Sequence, residues 1–166
     1  RPRGVGRPGR ATRTVVLLLG RGGHDVSEDD VASARSETPG WEWVVLDGRE
    51  STWVDDPSTV LASADVVVTH AGQNALSDTA AARRPAVVLP QRRPHREQAT
   101  TAAALASGWP VVVRDHWPAE GWGELLDEAA GLDGTRWEQW CDGGAADRFA
   151  DVVLEVRERV HPGVPA

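Results

Sequence analysis

The stretch that decides the fold reads Ala64-Asp65-Val66-Val67-Val68-Thr69-His70-Ala71-Gly72-Gln73-Asn74-Ala75. Its β-branched residues form a continuous apolar run, which is typical of a strand buried on both faces of a parallel sheet. A polar turn containing Gly72 follows, and Asn74 precedes an alanine-rich run that predicts a helix. The order of strand, turn and helix predicts one unit of an α/β fold.

The rest of the chain repeats this alternation of apolar runs and helical stretches. Helix starts are indicated by Ser27 with Asp30 in the capping-box position, and by Pro57 directly after Asp56. The predicted strands are Val15–Leu19, Trp41–Leu46, Val66–Thr69, Ala86–Leu89 and Val111–Val113. The pattern predicts a doubly wound, Rossmann-like parallel sheet with helices on both faces, whose default ligand site is the crevice at the carboxyl ends of the strands. Helices in residues 122–160 are expected to pack on this sheet.

The chain divides into three parts by composition. Residues 1–13 are rich in Arg, Pro and Gly and are interpreted as a flexible linker, because they offer little apolar area to bury. Residues 14–160 have the length of one compact domain. Residues 161–166 are interpreted as a tail.

Charge and cysteine content exclude several classes of protein. The 166 residues carry 18 basic and 25 acidic side chains, a net charge of -7, which argues against a general binder of nucleic acid or of membrane surfaces. The single cysteine, Cys141, can form neither an internal disulfide nor a thiolate zinc site. No apolar run approaches the ~18 residues of a membrane span. The expected location is the cytoplasm, and no metal or cofactor is expected.

The turn after Thr69 is the first candidate for chemistry. A strand that ends in a turn and a helix presents backbone N–H groups and the positive end of the helix dipole, both of which stabilise a phosphate. His70 and Asn74 add polar side chains, and Asp78 lies one helical turn after Asn74, where its carboxylate can accept hydrogen bonds from two ribose hydroxyls. The alternative is structural: Asn74 caps the helix, His70 is satisfied at the strand end and Asp78 is solvated. The residues alone leave both interpretations open.

A series of motifs between residues 53 and 108 carries a resemblance to one family. The segment 69–75 resembles the Thr-His-x-Gly-x-Asn-Ser segment of UDP-glycosyltransferases, and Ser77-Asp78 resembles the Ser-Glu that follows it. The segment 53–57, Trp-Val-Asp-Asp-Pro, is similar to the Phe-Ile-Asp-Asp-Met segment of peptidoglycan GlcNAc transferases, residues 84–90 to their Gly-x-Pro-x-x-x-x-Pro strand, and Glu97-Gln98 to their Asp-Gln pair. The region therefore resembles the C-terminal, nucleotide-sugar-binding half of GT-B glycosyltransferases, as in the glycosyltransferase family 28 C-terminal domain.

This resemblance implies a role for each matching residue. A nucleotide diphosphate sugar, most simply a UDP-sugar, would be bound as substrate. The diphosphate would lie against His70, Gly72, Gln73 and Asn74, and the ribose against Asp78. Trp53 and Val54 would contact the base, and Glu97 and Gln98 would contact the sugar.

The loop after the first strand is a second candidate for the diphosphate site. It contains Gly20, Gly22 and Gly23, which permit positive φ and close approach of the backbone to a ligand. The spacing lacks the third glycine of a dinucleotide-binding fingerprint, so the alternative is a plain tight turn. The resemblance implies that the loop faces the diphosphate.

The resemblance also implies what the chain needs to act. The general base would belong to an N-terminal acceptor-binding domain or to a separate subunit. This chain alone is therefore expected to be catalytically incomplete. Any peripheral membrane association would come through that domain or subunit. Ala75, Asp78 and Thr101 depart from the common family residues. Two alternatives stay open: half of a nucleotide-sugar epimerase, and a non-catalytic nucleotide-sugar-binding module. His116 is interpreted as a loop histidine.

Overall fold

A computed structural model describes residues 12–20, 23–49, 52, 54–92 and 96–160. The predicted tail, nearly all of the predicted linker, and the candidate residues Gly22 and Trp53 lie outside these described residues.

The core of the fold is a parallel sheet of five strands. The strands are β1 (Arg13–Leu18), β2 (Trp41–Leu46), β3 (Val66–Thr69), β4 (Ala86–Val88) and β5 (Val111–Val113), in the order β2-β1-β3-β4-β5. Each strand falls within two residues of its predicted bounds, because most strand positions on both faces of the sheet are buried and apolar, although the edge strand β2 also carries the exposed Glu42. The predicted α/β class is confirmed.

Helices connect successive strands and cover both faces of the sheet. They are α1 (Glu28–Glu37), α2 (Ser58–Ser63), α3 (Gln73–Ala81), α4 (Glu97–Leu105), α5 (Trp122–Ala130) and α6 (Ala145–Val160), with a short 3-10 helix (Gly134–Gln139) after α5. The capping box predicted for α1 is present between Ser27 and Asp30. No helix within the described residues is long and apolar enough to cross a membrane.

Alternate side chains of the strands build two cores, one on each face of the sheet. Val15 and Leu17 of β1 point to the face covered by α1 and α5, where Trp43 and Trp122 pack edge to face with ring centroids 5.3 Å apart. Val16 of β1 points to the opposite face, where residues of α2, α3 and α4 pack with Trp137 of the 3-10 helix. The buried tryptophan side chains are thus divided between the two cores.

The last helix departs from the prediction. The expectation that all helices after residue 121 pack on the sheet is correct for α5 and the 3-10 helix but wrong for α6, which has no buried residue. Its apolar residues Phe149, Val153, Val156 and Val160 recur at helical spacing and are all exposed, Phe149 by 70%. An amphipathic pattern indicates that a helix buries one face, but it does not indicate what covers that face.

The strand order locates the topological switch point. The chain passes from β1 to one side of the sheet to form β2 and then to the other side to form β3, so the switch lies between β1 and β3. In open parallel sheets a ligand binds in the crevice that this reversal opens at the carboxyl ends of the strands. The loop after β1 and the turn after β3 meet at this point, since Leu18 and Thr69 are direct partners in the ladder.

Candidate functional site

The turn that follows β3 is held tightly to its neighbours. The Thr69 hydroxyl donates a hydrogen bond of 2.7 Å to the carbonyl oxygen of Leu18, and the Leu89 amide donates one of 2.9 Å to the carbonyl oxygen of Thr69. His70 is buried, and its Nδ1 lies 2.8 Å from the Leu89 carbonyl oxygen. Because a carbonyl oxygen only accepts, this bond places the proton of the neutral imidazole on Nδ1. The ring orientation is thereby fixed between β3 and β4.

Helix α3 begins one residue earlier than Asn74. Its N-cap is Gly72, with φ -80° and ψ 140°, and no side chain caps the helix. Gln73 and Asn74 are therefore the first two helical residues, and the structural alternative in which Asn74 caps the helix is wrong. The first turn presents its backbone N–H groups at the switch point, where an anion would be stabilised by hydrogen bonds and by the helix dipole.

The glycine loop after β1 lies beside this turn. Gly20 is exposed, with open space around the position that a Cβ would occupy. Gly23 adopts φ +80°, a conformation that favours glycine. The next residue is His24, whose Nδ1 lies 3.0 Å from the Val26 carbonyl oxygen. The backbone at Gly20 is thus open to approach by a ligand at the switch point.

A groove between α2 and α3 brings two carboxylates together. This α2–α3 groove, with a volume of about 450 Å³, is lined by Asp56, Pro57, Ser58, Thr59, Ala62, Asp78, Ala81 and Ala82. Partial burial and, to a lesser extent, the charge of Asp56 raise the pKa of Asp78. Hydrogen bonds from the Ser58 backbone and side chain lower the pKa of Asp56. The groove therefore holds one firmly ionised acid beside a second whose proton affinity is increased, and both are acceptors for hydroxyl groups.

Asp47, a residue that sequence reasoning missed, binds two residues that follow β2, Arg49 and Thr52. Asp47 is buried, and its carboxylate accepts hydrogen bonds from the Arg49 amide at 3.1 Å and from the Thr52 hydroxyl, and pairs with the Arg49 guanidinium at 2.9 Å. Burial alone would raise the pKa of Asp47, but the bonds from Thr52 and Arg49 and the Arg49 charge outweigh it and lower the pKa. The sequence did offer one signal: Asp47 is an acid that directly follows β2, and the carboxyl ends of the strands form the edge of the sheet at which the site lies.

Replacing Asp47 by alanine is expected to lower the free energy of unfolding by about 1–3 kcal/mol, because the loop donors lose their buried acceptor. Urea unfolding followed by far-ultraviolet circular dichroism measures the loss. The matched control is Glu28→Ala, since Glu28 also pairs with Arg49 but its side chain is 83% exposed, and such pairs contribute about 0–1 kcal/mol. Equal losses in the two variants would contradict the anchoring role of Asp47.

The residues that begin α4 take two different positions. Glu97, its first residue, is exposed. Gln98 is buried, and its Oε1 accepts a hydrogen bond of 2.9 Å from the Gln91 backbone amide, so the side chain is tied to the backbone shortly after β4. The helix is preceded by Arg96 at φ +54°, an uncommon conformation for a residue other than glycine. Of the predicted sugar-binding pair, Glu97 is therefore a surface side chain and Gln98 is bound to the backbone of Gln91.

The profile of the glycosyltransferase family 28 C-terminal domain matches residues 17–109. The chain is 35% identical over 115 residues to the UDP-N-acetylglucosamine–N-acetylmuramyl-(pentapeptide) pyrophosphoryl-undecaprenol N-acetylglucosamine transferase of Paenarthrobacter aurescens (strain TC1), a match that covers 64% of this chain and 31% of that protein.

Among solved structures, two similar ones are the glycotransferase of kitacinnamycin and the calicheamicin glycosyltransferase CalG4. The first matches with a TM-score of 0.71 and 20% sequence identity, and the match covers 91% of this chain and 45% of that protein. The second matches with a TM-score of 0.69 and 21% sequence identity, and the match covers 94% of this chain and 46% of that protein. At these identities the likeness shows a shared fold. The chain spans less than half the length of these proteins and about a third of the curated relative.

Proposed function

Because this chain belongs to the glycosyltransferase family 28 C-terminal domain, we propose that it is the sugar-donor-binding half of an enzyme that transfers a sugar from a UDP-sugar to an acceptor. The observation that carries the proposal is the arrangement around α3. The uncapped start of this helix lies at the switch point beside His70 and Gly20, and Asp78 of the same helix faces the α2–α3 groove. The first feature suits a diphosphate and the second a ribose.

The bound orientation follows from these two features. The ribose hydroxyls donate to the Asp78 carboxylate, and the base extends along the groove toward Val54 and Pro57. The diphosphate lies across the first turn of α3, against Gly72, Gln73, Asn74 and the loop at Gly20. One molecule thus bridges the α2–α3 groove and the switch point.

The same groups explain how the chain assists transfer. When the bond between the sugar and the β-phosphate breaks, negative charge develops on the leaving diphosphate. Backbone N–H groups fixed at the start of α3 stabilise this charge without reorganising. His70 already uses Nδ1–H for the Leu89 carbonyl, which fixes its ring beside the start of α3.

The general base and the acceptor site belong to a second half of the enzyme, either an N-terminal domain or a separate subunit. The exposed apolar side of α6 supports this, because a contiguous apolar face usually marks an interaction surface. The family match and the curated relative favour a transferase over the epimerase alternative.

Titration calorimetry of the 166-residue chain with UDP, dTDP and GDP tests the proposed function. We expect UDP to bind most tightly, at micromolar to millimolar concentration. Absence of binding by all three nucleotides at millimolar concentration would contradict it. Transfer or hydrolysis of a UDP-sugar by this chain alone would contradict the assignment of the base to another half.

The raised pKa of Asp78 predicts opposite effects of pH on binding and on stability. As the pH falls from neutral through the raised pKa of Asp78, the carboxylate takes up a proton and loses an acceptor, so UDP affinity decreases. This pH window lies above 3.8, the ordinary pKa of an aspartate. Within it the folded state binds the proton more tightly than the unfolded state, so the destabilisation that ionised Asp78 causes at neutral pH decreases as the pH falls.

The measurement is the difference between the wild type and Asp78→Asn in UDP affinity and in urea midpoint at each pH, because protonation of UDP itself cancels in the difference. An affinity difference that stays constant from neutral pH down to pH 4 would contradict the role of the ionised Asp78.

A further inference from the structure

A second cavity lies at the carboxyl ends of the strands and contains residues that the family resemblance leaves without a role. This His70 cavity has a volume of about 190 Å³. Its polar lining and one tryptophan are His70, Asp25 from the loop after β1, Gln91 and Arg92 after β4, and Asp115, His116 and Trp117 after β5. His116, interpreted from the sequence as a loop histidine, thus shares a cavity with the candidate phosphate ligand His70. The loop after β5 brings it there.

The cavity and the α2–α3 groove lie on opposite sides of the turn at His70. Val26, Leu89 and Trp117 line or adjoin the cavity and belong to the core that α1 and α5 cover. The groove is formed by α2 and α3, which cover the other core. A nucleoside diphosphate sugar is a linear arrangement of nucleoside, diphosphate and sugar. With its nucleoside in the groove and its diphosphate at the start of α3, its sugar extends past His70 toward the cavity.

The size and lining of the cavity suit a sugar ring. Cavities that hold a whole drug-sized ligand measure about 300–1,000 Å³, so this smaller one fits a single moiety of a larger molecule. The carboxylates of Asp25 and Asp115 accept hydrogen bonds from hydroxyls, the Arg92 guanidinium donates to their oxygens, and the His116 ring can both donate and accept. Trp117 and Pro90 add apolar surface for the C–H groups of the ring.

The cavity walls are held in place by contacts outside it. The Trp117 ring packs on Trp122 with centroids 4.5 Å apart, and Trp122 is fully buried. On the other side, Gln98 accepts the hydrogen bond of the Gln91 amide.

We propose that the His70 cavity receives the sugar of the nucleotide-sugar donor, and that Asp115 and His116 are its specificity-determining residues. This inference rests on the proposed function and extends it, because it assigns sugar recognition to the loop after β5.

The test separates the sugar from the nucleotide. Calorimetry on the chain measures Kd for UDP and for UDP-GlcNAc, UDP-glucose and UDP-galactose in the wild type, Asp115→Asn and His116→Ala. Both residues are exposed, so the folded state tolerates these changes. We expect each variant to weaken the tightest-binding UDP-sugar by roughly 3- to 10-fold, the loss of one hydrogen bond, and to leave UDP within 2-fold. The matched control is Glu120→Gln, in the same loop but outside the cavity.

Each other outcome has one meaning. Unchanged UDP-sugar affinity in both variants overturns the inference and leaves the proposed function standing. An equal loss for UDP and the UDP-sugars also overturns it, because the residues would then act on the nucleotide. Failure of the wild type to bind UDP overturns the proposed function and the inference with it.

Discussion

Replacing Asp78 by alanine is expected to weaken UDP binding by roughly 10- to 100-fold, corresponding to the loss of charge-assisted hydrogen bonds that contribute about 1.5–3 kcal/mol. Asp78 lies on the exposed side of α3 and faces the α2–α3 groove. No other residue of α3 supplies a carboxylate. Removing it therefore leaves the ribose hydroxyls with only Asp56 as an acid in the groove.

The effect is measured by calorimetry with UDP and with inorganic pyrophosphate, which lacks the base and the ribose. Pyrophosphate affinity should be unchanged in Asp78→Ala, because its contacts lie at the start of α3. The matched control is Asp55→Ala, an exposed acid that does not line the groove. A wild-type Kd for UDP in Asp78→Ala would contradict the ribose assignment.

Replacing Trp137 by alanine is expected to lower the free energy of unfolding by about 3–5 kcal/mol, the usual cost of removing a fully buried large aromatic side chain. Trp137 is 0% exposed, stacks on Trp109 with ring centroids 5.5 Å apart, and donates an indole hydrogen bond of 2.8 Å to the Arg84 carbonyl oxygen. Since domains of this kind are stable by about 5–15 kcal/mol, the loss removes a large part of the total.

Two further variants resolve the origin of this loss. Trp137→Phe keeps much of the apolar volume and should cost less than the alanine change. Trp140→Ala should cost less than Trp137→Ala, because the Trp140 ring contacts the same cluster but is 43% exposed. Urea unfolding at neutral pH gives all three values. Equal losses at positions 137 and 140 would contradict the view that Trp137 anchors the 3-10 helix to the core.

Much of the fold could be predicted because its signals are local. The continuous apolar runs place all five strands, and Ser27 with Asp30 places the start of α1. The predicted start of α3 was too late in the sequence. Asn74 is a good capping residue and suggested a later start, whereas the backbone becomes helical directly after Gly72. The exposure of α6 could not be predicted from local sequence, since the helical spacing of its apolar residues is the same whether or not a partner covers them.

The site was predicted less completely than the fold. His70, Asn74 and Asp78 lie on one strand–turn–helix unit, so sequence spacing alone brings them together. Asp47 was missed because its role depends on Thr52 and Arg49 folding back onto it. The roles proposed for the site residues remain predictions for the experiments above.

The amino-acid sequence by itself determined the α/β class, the strands and the turn at which β3 meets α3, because these depend on the alternation and chemistry of neighbouring residues. Only the tertiary structure decided that Asp56 shares a groove with Asp78, that Gln98 holds the Gln91 amide, and that His116 lies in one cavity with His70. These juxtapositions follow from the order of the strands in the sheet and from the paths of the loops that join them. Contacts that depend on how loops and strands are arranged in space leave no periodic trace in the sequence.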